Sequence, residues 1–374
     1  MSFAHITISS VSLYKLFIPL KEPFIISLGP IPNAENVIVV IKTAEGITGF
    51  GECSPFMSIN GESAGTCMEV GRYLGKLLVG KNALDIEDNI VAMDRLIYGN
   101  TSIKSAFDMA LYDIAAQNAG VPLYRFLGGD NKKIVYTDYT VSISTPEKMA
   151  ADALKIKEQG YPAIKIKLGS NGALDVMRIK AIREAVGNEI PLRIDANQGW
   201  GVEEAIKTLN ALAPYGIQHC EEPIARWAFM QLPQVRKQSP IKIMSDESCG
   251  DEHDAERLIN LQACDYLNIK LGKSGGIFKA LKIVDMATAA DLHLQVGAFM
   301  ESRLAMTAFV HFALSSPQIV HFDFDTALMF KQDPVTDGIQ YAPNGLITIT
   351  ETPGLGATIG EEWLQKMENI VIIS

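Results

Sequence analysis

Lysines and carboxylates recur in this sequence at the ends of short apolar runs: Lys165 and Lys167, Asp195, Glu221, Asp246, Lys270, then Asp323 and Asp325. Asp195, Glu221 and Asp246 close three consecutive runs. If those runs lie side by side, the three carboxylates crowd together, each raises the pKa of the others, and only a cation lets all three ionise. A set made wholly of oxygen donors suits a hard divalent ion, so Mg2+ is expected, with Mn2+ the alternative, ahead of Zn2+. Cys220 should point away from Glu221, because successive strand side chains face opposite sides. Glu222 precedes Pro223 and belongs to a loop, which leaves Glu221 as the inward residue of the pair.

Lys165 and Lys167 are two apart and share a face of their run. Interior lysines are costly unless paired, and a purely structural account pairs each with a carboxylate. Near a metal and other cations their pKa is expected to fall toward the range of a general base. Two bases on opposite sides of a metal-held carboxylate invite one reaction. One lysine removes the proton α to the carboxylate, the metal stabilises the enediolate, and the other lysine protonates the opposite face.

A repeat between residues 134 and 324 must position these groups. Apolar runs at 134–141, 163–167, 192–195, 218–221, 243–246, 266–270, 293–296 and 320–324 alternate with amphipathic segments. Thr145-Pro146 reads as a helix start and Gly160 as its stop. From Lys167 to Lys270 the run ends are 28, 26, 25 and 24 residues apart, room for a strand, a helix and two short loops. Eight such runs predict a parallel α/β barrel whose strand ends share one catalytic rim, with an open doubly wound sheet as the alternative. In the barrel, Lys270 on the sixth strand lies across the axis from Lys165 and Lys167 on the second.

The flanks differ from the repeat. Residues 1–127 read as strands then helices: Val37 to Ile41 is a β-branched run ended by Glu45-Gly46, and apolar residues from Ile103 to Ile114 keep a 3.6-residue period, predicting a helix with one buried face. The tail, 331–374, has strand-like pieces at 346–349 and 370–373 and is expected to return to the N-terminal domain. The barrel takes 128–330.

Composition narrows the function classes. The 374 residues are 48% hydrophobic and 20% charged, a chain of two or three domains with ample core. A formal charge of −10 and the lack of basic runs argue against nucleic acid and anionic membranes as partners. Five scattered cysteines suggest neither a disulfide framework nor a zinc site. Met1 to Leu20 lacks leader features and no stretch approaches the roughly 20 apolar residues of a membrane span, so the expected location is the cytoplasm. Leu271 to Gly276 contains Gly-Lys-Ser but lacks the preceding glycine of a phosphate loop and reads as a βα loop. His219 and His321 lie one layer below Glu221 and Asp323 and read as core histidines.

Lys165-Ile166-Lys167, Asp195-Ala196-Asn197-Gln198-Gly199-Trp200, Glu221-Glu222-Pro223, Ser245-Asp246-Glu247-Ser248 and Asn268-Ile269-Lys270 together resemble the motifs of the enolase superfamily, muconate-lactonizing subgroup. A lysine base with a metal-stabilised enediolate is that superfamily's established chemistry. The resemblance covers nearly the whole chain and implies an α/β fold, a (β/α)7β TIM-like barrel under an α+β cap completed by the C-terminal tail. The subgroup includes cycloisomerases, o-succinylbenzoate synthases and several racemases and epimerases. Phe322-Asp323-Phe324-Asp325 resembles the Asp-x-Asp signature of dipeptide epimerases, which implies that Asp323 and Asp325 bind a substrate α-ammonium group. Thr137-Asp138-Tyr139-Thr140 resembles the same group and implies that Thr140 lies near the substrate. By the same resemblance Ala298 and Met300 line the site through backbone groups.

Two loops, Phe24 to Asn33 and Ser54 to Glu62, should close over the substrate. Gly29 stands where glutamate-specific dipeptide epimerases carry an Arg, and the apolar residues around it favour small or apolar side chains, although Glu62 or Glu35 could admit a cationic one. The expectation is a Mg2+-dependent epimerase of small or apolar dipeptides, Ala-Ala or Ala-hydrophobic, with Lys165 meeting the substrate carboxylate and Lys167 and Lys270 as the acid/base pair. A cycloisomerase or o-succinylbenzoate-synthase-like lyase is the alternative, and a non-catalytic barrel subunit the third. A homo-oligomer is compatible with each.

Overall fold

The computed structural model describes residues 5–169 and 171–373. In the cap, β1 (Ile8–Ile26) and β2 (Gly29–Thr43) form a long antiparallel hairpin, and β3 (Thr48–Cys53) pairs with β2. The β-branched run of β2 is buried on both faces. Val37, Val39 and Ile41 enter the core of the cap, and Ile38 and Val40 on the other face join the core of the barrel. Three helices follow, α1 (Ala64–Leu78), α2 (Ile86–Leu96) and α3 (Thr101–Asn118).

The helix expected to bury one face, α3, is buried all round from Ser102 to Ala116. One side lies so close on β3 that a Cβ at Gly51 would sit 1.9 Å from Ala106 O, and only glycine permits that approach. The other side meets the barrel, where Asp108 accepts the backbone N–H groups of Ile277 (2.5 Å) and Phe278 (3.2 Å). Polar Asp108 is therefore a point of contact between the two layers.

The barrel follows β4 (Val135–Tyr136) as β5 (Tyr139–Val141), β6 (Ile164–Lys167), β7 (Leu192–Asp195), β8 (Ile217–Glu221), β9 (Lys242–Ser245), β10 (Tyr266–Ile269), β11 (His293–Val296) and β12 (Ile319–Phe322). All eight are parallel and in sequential order. Among the described residues seven helices of the outer layer connect them, beginning with Pro146–Glu158 and ending with Arg303–Leu314. The first of these is capped by Thr145, whose side chain accepts from Lys148 N–H, with Pro146 opening the helix. This is a (β/α)7β barrel.

The run expected at 134–141 is two strands. Val135–Tyr136 turns outward to pair with the tail, and only Tyr139–Val141 enters the barrel. Polar Thr137 and Asp138 divide them because their groups are spent on the barrel seam. Between β12 and β5 the joint rests on three hydrogen bonds: Asp138 N–H to Phe322 O (3.3 Å), Phe324 N–H to Thr137 Oγ1 (2.9 Å) and Thr140 N–H to Asp325 Oδ2 (2.7 Å).

In the tail, β13 (Val335–Asp337) pairs with β16 (Ala357–Ile359), and β15 (Leu346–Thr348) lies between β14 (Gln340–Tyr341) and β4. The last strand, β17 (Glu368–Ile373), returns to the cap and pairs with β1 from Ser10↔Ile373 to Lys15↔Glu368. No helix among the described residues is long and apolar enough to cross a membrane.

Candidate active site

The C-terminal ends of β6 to β10 deliver the predicted charges to one buried volume under the cap. Asp195, Glu221 and Asp246 each offer an oxygen within 4.8 Å of the others, and all three are buried. Cys220 faces away into the core, and Glu222 lies in the loop beyond, with a positive φ of 34°. Glu222 accepts from Asp246 N–H (2.7 Å) and from the Ser248 N–H and hydroxyl, which ties the loops after β8 and β9 together.

Burial, reinforced by Asp195, pushes the Glu221 carboxyl up to about 8 against the pull of Lys165. Burial also opposes ionisation of Asp246, but Lys270 and Lys273 overcome it and hold this carboxyl far below the usual range. An all-carboxylate set with one member still short of positive charge fits a hard divalent cation. Asn268 Nδ2 donates to Glu221 Oε1 (2.8 Å) and Asn197 N–H to Asp195 Oδ1 (2.8 Å), so the triad is held from outside as well.

The lysines are threaded through these carboxylates. Lys165 Nζ lies 2.6 Å from Asp323, 2.8 Å from Glu221 and 3.3 Å from Asp195. Lys167 Nζ lies 2.6 Å from Asp195, and Lys270 Nζ 2.6 Å from Asp246. In the protein alone, Lys165 and Lys270 are held above the ordinary lysine value. Burial lowers both, but Asp323 and Glu221 beside Lys165, and Asp246 and Glu221 beside Lys270, outweigh it and raise them. The cause is that the same carboxylates serve as lysine partners in the protein alone.

Asp323 and Asp325 share a cavity of about 40 Å³ with Thr140, Lys167, Lys270, Ala298 and Met300. Asp325 Oδ2 is taken by Thr140 N–H, while Oδ1 is buried without a partner among the described residues. Burial and the nearby Asp323 and Asp138 push this carboxyl up to about 8. Met300 lines the cavity, but its backbone is committed elsewhere: Ser54 Oγ holds its N–H (3.2 Å) and Asn36 Nδ2 its carbonyl (2.8 Å).

The cap supplies Phe24, Ile26, Ile31, Phe56 and Ile59 to the cavity wall. The first lid is a hairpin and not a loop, with Phe24↔Ile31 and Ile26↔Gly29 paired around a tight turn. Gly29 adopts a φ of 121°, a conformation that the Cβ of an Arg would strain. Neither candidate for a cationic side chain reaches the cavity. Glu62 caps α3 by accepting from Ser102 N–H (2.8 Å) and Ile103 N–H (3.2 Å), and Glu35 is exposed in β2. Ser27 Oγ donates to Asn197 O (2.8 Å) and Arg226 to Ile59 O, so each lid is latched to the barrel rim.

Sequence reasoning missed several supporting residues. Lys273 is buried against Asp246 Oδ1 (2.6 Å), Cys249 O (2.9 Å) and Asn268 O (3.1 Å), a lysine three after Lys270 that its Gly-Lys-Ser setting disguised. Glu52, at the end of β3, accepts from Asn36 (2.7 Å), Ser302 N–H (2.8 Å) and Ala305 N–H (3.1 Å), clamping the cap to the helix after Met300. Below the site Arg193 bridges Asp138 (2.8 Å) and His321 (3.0 Å). His321 and His219 sit with ring centroids 5.0 Å apart, and burial pushes both well down, so they are neutral core residues as expected.

Residues 9–128 match the family described as Mandelate racemase / muconate lactonizing enzyme, N-terminal domain, and residues 148–363 match Enolase C-terminal domain-like. The chain is 56% identical to a D-Ala-D/L-Ala epimerase of Cytophaga hutchinsonii, covering 98% of this chain and 99% of that one. It is 38% identical to a hydrophobic dipeptide epimerase of Enterococcus faecalis, over 91% and 96%. A crystal structure of the dipeptide epimerase from Cytophaga hutchinsonii, complexed with Mg and D-Ala-L-Val, superposes with a TM-score of 0.97 over 99% of this chain and 100% of that one.

Proposed function

The chain belongs to the enolase superfamily, in its mandelate racemase and muconate lactonizing enzyme branch, and from that premise we propose a Mg2+-dependent dipeptide epimerase that inverts the α-carbon of the C-terminal residue. The observation that carries the dipeptide is the unpartnered, buried Asp325 Oδ1 in the cavity that also holds Lys167 and Lys270. An α-ammonium group would satisfy it, and a substrate without an amino end would leave it orphaned.

Asp195, Glu221 and Asp246 would hold Mg2+, which supplies positive charge to the substrate carboxylate as the α-proton leaves. Lys165, between the triad and Asp323, meets that carboxylate. Lys167 and Lys270 rise from the second and sixth barrel strands, opposite each other across the axis, and act as base and acid on the two faces of the α-carbon. Each reverses its role when the other epimer binds. Asp323 and Asp325 orient the amino end, while Thr140, Ala298 and Met300 border the substrate. The five apolar cap side chains and the Gly29 turn favour Ala-Ala or an Ala-hydrophobic dipeptide over one with an acidic residue, in line with the Cytophaga relative. Five free, buried cysteines support a cytoplasmic setting.

The test is α-deuterium incorporation, read by mass, for Ala-Ala, Ala-Val, Ala-Glu and N-acetyl-Ala-Ala in D2O with Mg2+. The first two should outperform Ala-Glu. Acetylation should cost on the order of 2–5 kcal/mol in kcat/KM, because Asp325 is left without a cationic partner. A preference for the acetylated compound would replace this reading with an N-acylamino acid racemase. Preference for Ala-Glu would overturn the apolar specificity, and no exchange with any dipeptide would favour a cycloisomerase or lyase.

A further inference from the structure

Each of the two lysines proposed as bases lies over an aromatic ring as well as beside a carboxylate. Lys167 Nζ lies 5.8 Å from the centroid of Phe24, with Asp195 at 2.6 Å. Lys270 Nζ lies 4.9 Å from the centroid of Phe299, with Asp246 at 2.6 Å. Both rings are within the roughly 6 Å over which a ring face attracts an ammonium, and both are nearly fully buried. Phe24 belongs to the hairpin lid, whereas Phe299, in the barrel loop after β11, rests on the second lid. Phe24 is set by its pairing with Ile31 in the β1–β2 hairpin, whereas Phe299 stacks on Phe56 of the second lid with centroids 5.8 Å apart at 30°. The latches also differ, Ser27 to Asn197 for one and Arg226 to Ile59 for the other.

We propose that Phe24 and Phe299 are positioning residues that each cover one lysine, so that the hairpin controls one hand of the proton transfer and the second lid the other. This assignment rests on the two-base reading of Lys167 and Lys270. A ring against Nζ limits where the amine can swing, and keeps water from the side it covers. A lid acting only as a general seal would have to affect both lysines together.

The experiment follows α-proton exchange from L-Ala-L-Ala and L-Ala-D-Ala separately, with the Mg2+-loaded enzyme in D2O, scoring exchange with retention apart from inversion. Lys167→Ala and Lys270→Ala define which epimer each lysine serves. Phe24→Ala should slow exchange for the epimer lost in Lys167→Ala at least tenfold more than exchange with retention for the other epimer, whose loss reports only the ring's share of the apolar wall. Phe299→Ala should show the mirror image. The surviving epimer reports a folded, loaded site, so loss of both epimers alike in both variants overturns the proposal. Reductive methylation with peptide-level mass analysis supplies a readout independent of turnover: labelling of Lys167 should rise several-fold in Phe24→Ala with Lys270 unchanged, and the reverse in Phe299→Ala. Equal rises at both lysines also overturn it. If the two lysine variants themselves show no opposite handedness, the two-base reading has failed, which is a separate result.

Discussion

Asp246 balances two buried lysines, touching Lys270 and Lys273 at 2.6 Å each, and belongs to the triad as well. Asp246→Asn keeps the shape but removes the charge that compensates two buried ammonium groups and a bound divalent ion. Turnover should vanish while the circular dichroism stays native, and calorimetric Mg2+ binding should weaken by at least tenfold. Full activity of the variant, or of the wild type in excess EDTA, would sink the metal assignment. The triad was legible because its members stand at, or one residue past, the ends of three consecutive strands. Lys273 was hidden, since its partner is fixed by the short helical turn at Leu271–Ser274 that folds it back under Asp246.

At the scale of elements, regular punctuation made the βα units readable to within about a residue at most strand ends, whereas burial by a second layer did not show. Periodicity reports one apolar face of α3; the polar face is also buried, because β3 and the barrel clasp the helix from two sides. Likewise the first lid read as a loop, since its strands carry prolines and a glycine that pairing tolerates at this edge. The burial of α3 has a pH consequence. Asp113 accepts from Phe50 N–H (2.9 Å), Leu355 N–H (2.8 Å) and Gln117, yet burial outweighs these donors and pushes its carboxyl up to about 6. In the unfolded chain it would titrate near ~4. Between these values the folded protein retains a proton that the unfolded chain has lost, so unfolding releases it and stability falls as pH rises from about 4 to about 6. The difference of about two pK units corresponds to roughly 3 kcal/mol. Melting temperatures from pH 4.5 to 7 should decline more steeply in the wild type than in Asp113→Asn; equal slopes would show that Asp113 is already ionised when buried.

For the molecule as a whole, the barrel is continuous in backbone pairing except at the seam between β12 and β5, where Asp325 supplies one of the three bonds. Asp325→Ser should therefore lose dipeptide turnover and also destabilise the closed barrel, by about 1–3 kcal/mol for a buried N–H left without its acceptor. Hydrogen exchange at the Thr140 amide should quicken while exchange in β8 stays slow; unchanged protection at Thr140 would separate the seam from the site. The arrangement also bears on how this scaffold can be retuned. On the proposed reading, position 325 both recognises the substrate's amino end and fastens the barrel to itself, and it is then not free to drift, because each trial of a new ligand is a trial of the architecture too. A lineage exchanging the free ammonium for a neutral group would have to mend the seam first, most directly at Thr137 or Thr140, and only then relax position 325. The order of those substitutions, and not their number, would set how readily one chemistry gives way to the next.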